Sequence, residues 1–369
     1  MGLNVKATRA RCSTVFFLSQ SRSVYPNPSD KSEGSAPPTV IKIKRRHIMI
    51  TRADSLSNGS SCRRIFLTLL SFTSTMPASK FIKLNTGAEM PTLGLGTWRS
   101  KPGQVEHAVE FALRNGYRNI DTATAYGNES EVGKGIKNSG VPREEIFLTT
   151  KLNNPDMGKP EEALEYSLKT LGTDYLDLWL MHWPAPMTPE GGADKSIDWL
   201  DTWHKMEALY KAHPEKIKAI GVSNFSIPYL NRLLDNSSVV PATNQIELHP
   251  SCPQQSLVDF CASKGIAVTG YSPLGSEGAP LLKNEVVKKM AQKYGVGEGT
   301  VLISMQANRE GVNVLPKSVT NERILANAKI IDMEPADITE LNEIAKTQPF
   351  RACHPSWAGW GNLGFTESV

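Results

Sequence analysis

Four polar residues, Asp121, Tyr126, Lys151 and His182, stand at or just past the C-terminal ends of apolar runs that read as strands. Asp121 closes Tyr117-Arg118-Asn119-Ile120-Asp121, Lys151 closes the run from Ile146, and His182 closes the run from Tyr175, while Tyr126 follows in the loop after the first. Together they suit proton transfer. A phenol with a pKa near about 10 is a poor acid at neutral pH, but an adjacent ammonium favours the phenolate and lowers that value. Lys151 is the cation expected to do so, and Asp121 would pair with it, since an unpaired buried charge is costly. His182 can hydrogen-bond a substrate oxygen or relay a proton.

The product of this grouping is a tyrosine that protonates a carbonyl oxygen while another species attacks the carbon. None of the four is an obvious nucleophile toward that carbon, so an external hydride donor fits. Two other readings stand at this level. Asp121 and Lys151 can be a structural ion pair with Tyr126 and His182 as satisfied rim residues. Alternatively, Lys151 can be a Schiff-base nucleophile, which requires it to be neutral and runs against the nearby Asp121.

The elements that must position these groups alternate from residue 80 onward. Phe81-Ile82-Lys83-Leu84 and the run to Pro91 predict an opening hairpin. Eight strand-like runs follow, at Leu93–Gly96, Arg118–Thr122, Ile146–Lys151, Tyr175–His182, Ile217–Asn224, Thr243–Leu248, Ala267–Ser272 and Val312–Pro316. Between them apolar residues recur at helical spacing, as in Val105, Ala108, Val109, Ala112 and Leu113, or Ala163, Leu164, Ser167, Leu168 and Leu171. Pro160-Glu161-Glu162, and Asn321-Glu322 after Thr320, carry helix-start signals. Strict alternation predicts an α/β protein with a closed parallel (β/α)8 TIM barrel. An open doubly wound sheet would need an edge and a switch point that nothing marks. In a barrel, chemistry sits where strands end, and all four residues are there.

The 369 residues divide by composition into a tail, 1–75, and a barrel domain, 76–369. The tail is rich in Ser, Arg and Pro, with short apolar patches at Val15–Leu18 and Ile65–Leu70. It reads as disordered or targeting composition, or as an extension upstream of a working start at Met76, and its acid-poor first 25 residues would suit a mitochondrial presequence. It carries a net charge of about +9, so with a total of +4 the body stands at about −5. That balance argues against nucleic-acid binding, and no apolar run approaches the roughly 18–20 residues of a membrane span. The five cysteines, Cys12, Cys62, Cys252, Cys261 and Cys353, have no metal-ligand spacing, so no metal is expected and a reducing, cytoplasmic setting is.

Gly116-Tyr117-Arg118-Asn119-Ile120-Asp121-Thr122-Ala123, with Tyr126-Gly127-Asn128-Glu129 and Glu131-Val132-Gly133 behind it, resembles the signature of the aldo-keto reductases. So do Met181-His182-Trp183-Pro184, Gly221-Val222-Ser223-Asn224-Phe225 and Leu315-Pro316-Lys317-Ser318, and the likeness runs in order over about residues 80–350. It implies a (β/α)8 barrel with an N-terminal hairpin, extra helices and a C-terminal substrate loop, with Asp121, Tyr126, Lys151 and His182 as the catalytic tetrad and Tyr126 as the acid. The chain has no Gly-x-Gly-x-x-Gly after its first strand, and this family binds nicotinamide cofactors without one.

An NADP(H) site follows from the resemblance. Lys317, Ser318, Val319 and Thr320 leave the eighth strand, and Arg323 lies one turn into the next helix, where amides, a hydroxyl and two cations can meet the 2′-phosphate that NAD lacks. Asn327 matches a position near the adenine, whereas Ala326 replaces a Glu common in relatives. Ser223, Asn224 and Gln245 would hold the carboxamide, Tyr271 would stack on the nicotinamide ring, and Ser272, Leu274 and Ser276 would lie over the pyrophosphate. Thr97 and Trp98 are further cofactor positions. Relatives carry Asp just after this loop as a belt over the cofactor, and Ser276-Glu277-Gly278 departs from that, which predicts weaker closure.

Trp98 and Trp183, with Tyr126 and His182, are expected to line the substrate pocket, while Trp179, Trp199 and Trp203 read as packing residues. The segment from Phe350 to Trp360 is too rich in Trp, Pro and Gly for a helix and should fold back as a loop over the mouth. Its sequence resembles fungal members acting on glyceraldehyde, dihydroxyacetone or glycerol. A monomer acting on a small carbonyl or alcohol is expected. The alternatives are a reductase of a bulkier secondary-metabolite carbonyl and a non-catalytic NADPH-binding subunit.

Overall fold

The computed structural model describes residues 80–101 and 103–365. The expectations for the tail, including the apolar patches, Cys12, Cys62 and a start at Met76, lie outside the described residues.

The chain opens with an antiparallel hairpin of β1 (Phe81–Lys83) and β2 (Glu89–Pro91), pairing Phe81 with Pro91. Eight parallel strands follow: β3 (Leu95–Gly96), β4 (Asn119–Asp121), β5 (Phe147–Leu152), β6 (Leu178–Met181), β7 (Ile220–Ser223), β8 (Thr243–Glu247), β9 (Ala267–Tyr271) and β10 (Val312–Leu315). They are hydrogen-bonded in sequence order. The ring closes where Gly94 N donates to Val314 O at 3.0 Å and Val314 N to Thr92 O at 2.8 Å, with a further bridge from Gly96 to Lys317. Closure leaves no sheet edge, which excludes the open doubly wound alternative.

The crossovers carry α1 (Gln104–Arg114), α2 (Glu129–Ser139), α3 (Pro160–Leu171), α4 (Trp199–Ala212), α5 (Ile227–Asn236) and α6 (Gln255–Ser263). Two helices, α7 (Glu285–Tyr294) and α8 (Glu298–Ala307), separate β9 from β10, and α9 (Asn321–Asn327), α10 (Pro335–Asn342) and α11 (Ile344–Thr347) follow the last strand. The apolar stripes predicted for α1 and α3 are the buried faces of those helices. Gly133 lets α2 meet the end of α3 backbone to backbone, since a Cβ there would lie 2.1 Å from Leu171 O.

The hairpin decides which end of the barrel is open. Leu84 and Met90 pack against Phe147, Leu178, Ala219, Ala242 and Ala267, all at or just before strand starts. This apolar plug seals the N-terminal end, and the small alanines leave room for it. Trp179 and Trp203 are fully buried and Trp199 is nearly so, stacked near Phe225 and Tyr229, which makes all three packing residues.

Candidate active site

Every residue of β5 is buried, and Lys151 near its end has no exposed side-chain surface. Its ammonium donates to Asp121 Oδ1 at 2.6 Å, to Thr122 O at 2.8 Å and to the Tyr126 phenol oxygen at 3.3 Å. An ammonium has three N–H groups, and three acceptors take them all. Asp121 Oδ2 accepts from Gln245 Nε2 at 2.7 Å, so the carboxylate is satisfied on both oxygens. A lysine so engaged presents no lone pair to a carbonyl carbon, which disfavours the Schiff-base reading.

The electrostatics depart from one expectation. Burial pulls the Lys151 ammonium below its usual value, opposed by the charge and hydrogen bond of Asp121 and then by Glu129. The Tyr126 phenol is not acidified: burial raises it well above its ordinary value, with the negative charge of Asp121 second and Cys353 third. The physical reason is first burial, which removes the water that would solvate a phenolate, and then Asp121, which sits 2.6 Å from the ammonium and offsets the field that Lys151 alone would cast. Tyr126 therefore keeps its proton across the neutral range, as a donor must before reaction.

His182 is pushed down to about 3, by burial first and by the Lys151 cation second, so its ring is neutral at neutral pH. Its Nδ1 is buried without a partner, leaving Nε2 as the nitrogen able to meet a ligand. The ring lies edge-on to Tyr126, centroids 5.7 Å apart at 75°. A neutral imidazole here can offer one N–H to an oxygen and has no surplus proton to give. In the unfolded chain this histidine titrates near 6.5. The unfolded state then takes up the proton first, so stability is lost as pH falls from about 6.5 toward about 3, by at most about 4–5 kcal/mol before solvent screening. We expect urea midpoints of His182→Asn to fall less steeply than those of the wild type between pH 6.5 and 4.5; equal slopes would remove His182 from that role.

The neighbouring strand ends bring the amide groups together. Ser223 Oγ donates to Gln245 O at 2.9 Å, Asn224 Nδ2 to Ser223 Oγ and to His182 O at 3.0 Å each, and the Tyr271 hydroxyl to Asn224 Oδ1 at 2.8 Å. Asn224 adopts φ 62° and Ser272 φ 54°, while Ser276 in the next loop and Arg99 opposite it are also left-handed. Such backbone in non-glycine residues costs about 1–3 kcal/mol each and gathers at functional sites.

These residues wall a cavity of about 1090 Å³ at the open end of the barrel. It is lined by Asp121, Tyr126 and His182, by Thr97, Trp98 and Trp183, by Ser223, Asn224, Gln245 and Tyr271, and by Ser272, Leu274, Ser276 and Lys317. Lys151 stands behind the wall. Ser318, Val319, Thr320, Arg323 and Asn327 are outside the lining, in the turn into α9 and on that helix. The α9 N-terminus has no side-chain cap. Neither Lys317 nor Arg323 forms an ion pair among the described residues, although Lys317 donates to Arg99 O at 3.2 Å.

The expected weakening of the belt is only partly what is found. Glu277, one residue before Gly278, pairs with Arg99 and so links the loop after β9 to the loop after β3. Both side chains are more than half exposed, so the link bridges the two loops at the cavity rim while contributing about 0–1 kcal/mol. Ala326 is exposed on α9 and offers no polar group.

The C-terminal segment does fold back, with a single short turn at Pro355–Ala358. Trp360 Nε1 anchors it by donating to Pro186 O at 2.8 Å. Trp357 meets Trp183 edge-on at 5.8 Å. Cys353 and His354, in the segment expected over the mouth, line the cavity, as do Asn153, Asn154 and Met187, which sequence reasoning missed. Asn153 and Asn154 directly follow the Lys151 strand, so the strand-end rule applied to Lys151 would have found them.

The Aldo/keto reductase family matches residues 92–348. The chain is 47% identical over 302 residues to glycerol 2-dehydrogenase (NADP(+)) of Saccharomyces cerevisiae, covering 76% of this chain and 96% of that protein. The chain belongs to the aldo/keto reductase family. This aldo/keto reductase is also 48% identical over 284 residues to D-galacturonate reductase of Hypocrea jecorina, across 73% of its own length and 91% of the relative. Among solved structures, a Bombyx mori aldo-keto reductase in complex with NADP superposes with a TM-score of 0.71 at 36% identity, covering 77% of this chain and 98% of that one. Membership makes the protein an oxidoreductase.

Proposed function

We propose that the protein is an NADP(H)-dependent carbonyl reductase that interconverts aldehydes or ketones and alcohols, with Tyr126 as the proton donor. The observation that carries this reading is the Lys151 ammonium bridging Asp121 and the phenol of Tyr126 at the cavity wall. The donor set fits the cofactor: two cations without carboxylate partners stand beside an uncapped helix start, and hydroxyl and amide groups cluster at the other end. Lys317 and Arg323 would hold the 2′-phosphate, Ser223, Asn224 and Gln245 the carboxamide, and Tyr271 the ring. When bound, NADPH supplies the hydride. Tyr126 gives its proton to the carbonyl oxygen, and neutral His182 orients that oxygen.

Trp98, Trp183 and Trp357 narrow the substrate end of the cavity, which favours compact substrates of the glyceraldehyde, dihydroxyacetone or glycerol type. The relative named for glycerol supports the same class. Asn224, in the sequon Asn224-Phe225-Ser226, is 4% exposed and lines the cavity, where a glycan would not fit, and this supports a cytoplasmic setting. No described helix is long and apolar enough to cross a membrane.

The test is initial-rate oxidation of NADPH, with NADH as control, over carbonyls from glyceraldehyde to bulky aromatic ketones. We expect NADPH to be preferred, and Lys317→Met with Arg323→Met to cost about 10–100-fold in kcat/KM with NADPH alone, as loss of charge-assisted bonds of about 1.5–3 kcal/mol implies. A preference for NADH in the wild type would sink the phosphate assignment. NADPH binding without turnover on any carbonyl would leave a non-catalytic cofactor-binding subunit.

A further inference from the structure

Gln245 and Glu247, two residues apart on β8, share one face of the strand, as strand periodicity requires. The first, Gln245, donates to Asp121. The second, Glu247, is fully buried and takes no part in the chemistry above. Its two carboxylate oxygens reach across to the C-terminal segment more than a hundred residues later. Oε1 accepts the backbone N–H of Ala352 at 2.7 Å, and Oε2 accepts that of Cys353 at 2.7 Å. His249 Nε2 donates to Oε1 at 2.7 Å, and its Nδ1 has no partner, which fits the tautomer with the proton on Nε2.

A second layer supports the clamp. The Glu247 carbonyl accepts from Gln254 Nε2 at 2.5 Å, Gln254 Oε1 accepts from Arg351 Nη2 at 2.9 Å, and the His249 ring lies 4.7 Å from that of Phe350. Ala352 and Cys353 line the cavity. Residues 350–354 precede the short turn at Pro355–Ala358 and lie in no helix or strand, so a buried carboxylate holding two successive amides sets their place.

We propose that Glu247 is a positioning residue for substrate specificity: by clamping the amides of Ala352 and Cys353 it fixes the wall that sizes the substrate end of the cavity. This rests on the reading of the cavity as a carbonyl-reductase site. Glu247→Gln keeps the shape but turns one oxygen into an N–H donor facing another donor, so one side of the clamp opens.

Two measurements test it. The first is amide hydrogen exchange at Ala352 and Cys353. In the wild type both amides are protected, and in Glu247→Gln they exchange at least about 10-fold faster, with protection in β4–β6 unchanged. The second is kinetics: Glu247→Gln raises KM for glyceraldehyde about 10-fold with kcat within about 3-fold, and raises KM less for a bulky aromatic ketone. Unprotected amides in the wild type overturn the proposal, even if the variant does not fold. So does an unchanged KM, or a uniform loss across substrates of every size. If the carbonyl-reductase reading is what fails, no substrate turns over while the exchange result still stands.

Discussion

Replacing Tyr126 with Phe is expected to lower kcat for carbonyl reduction by about 10³-fold, within the range that a positioned general acid contributes. NADPH affinity should be unchanged, as read by quenching of protein fluorescence on titration. The ring is retained, and with it the edge-on contact to His182 at 5.7 Å, so the shape of the cavity is preserved. What disappears is the hydroxyl that faces Lys151 at 3.3 Å. Because burial keeps that hydroxyl protonated, its loss removes a proton ready to move as negative charge develops on the substrate oxygen. Turnover of the variant at the wild-type rate would take Tyr126 out of the reaction.

The second large effect concerns stability. Lys151→Met leaves Asp121, which is 4% exposed, with Gln245 as its remaining hydrogen-bond donor. Removing one partner of a buried pair costs about 3–5 kcal/mol, because the remaining charge is stranded in a low dielectric. Equilibrium denaturation should show that loss together with loss of activity. Adding Asp121→Asn should recover most of the stability and none of the activity, since a neutral amide no longer needs the cation but the phenol still lacks its neighbour. Equal stability of Lys151→Met and wild type would contradict the ion pair as drawn.

Much of the fold was legible because side-chain periodicity reports burial directly. The stripe of Val105, Ala108, Val109, Ala112 and Leu113 is the buried face of α1, and each of the eight expected runs overlaps a barrel strand. The ends of those runs were less legible. Tyr175–His182 reads as one strand, yet only Leu178–Met181 is laddered, with Leu176 making an isolated bridge to Ile217. Single backbone hydrogen bonds continue at Leu176, Asp177 and His182, so the apolar run reports burial beside the neighbouring strands and not the extent of the regular ladder.

Of the site, the groups on strand ends could be found because topology alone sends them to one rim. Glu247 could not. In the sequence it is one more polar residue at a strand end, and its partners Ala352 and Cys353 contribute backbone amides, which carry no signature. The environment of Tyr126 was equally hidden: the types of residue present suggested a lowered pKa, and burial first, with the negative charge of Asp121 beside Lys151 second, reversed the sign.

The sequence by itself determined the alternation of strands and helices, the end of the barrel where ionisable groups gather, and the four residues able to move a proton. Those follow from local periodicity and from the order of elements along the chain. Only the tertiary structure decided that the tyrosine keeps its proton, that Arg99 and Glu277 bridge two loops at the cavity rim, and that Glu247 holds the backbone amides of Ala352 and Cys353. Each of these depends on distances between residues remote in sequence and on how much water is excluded between them.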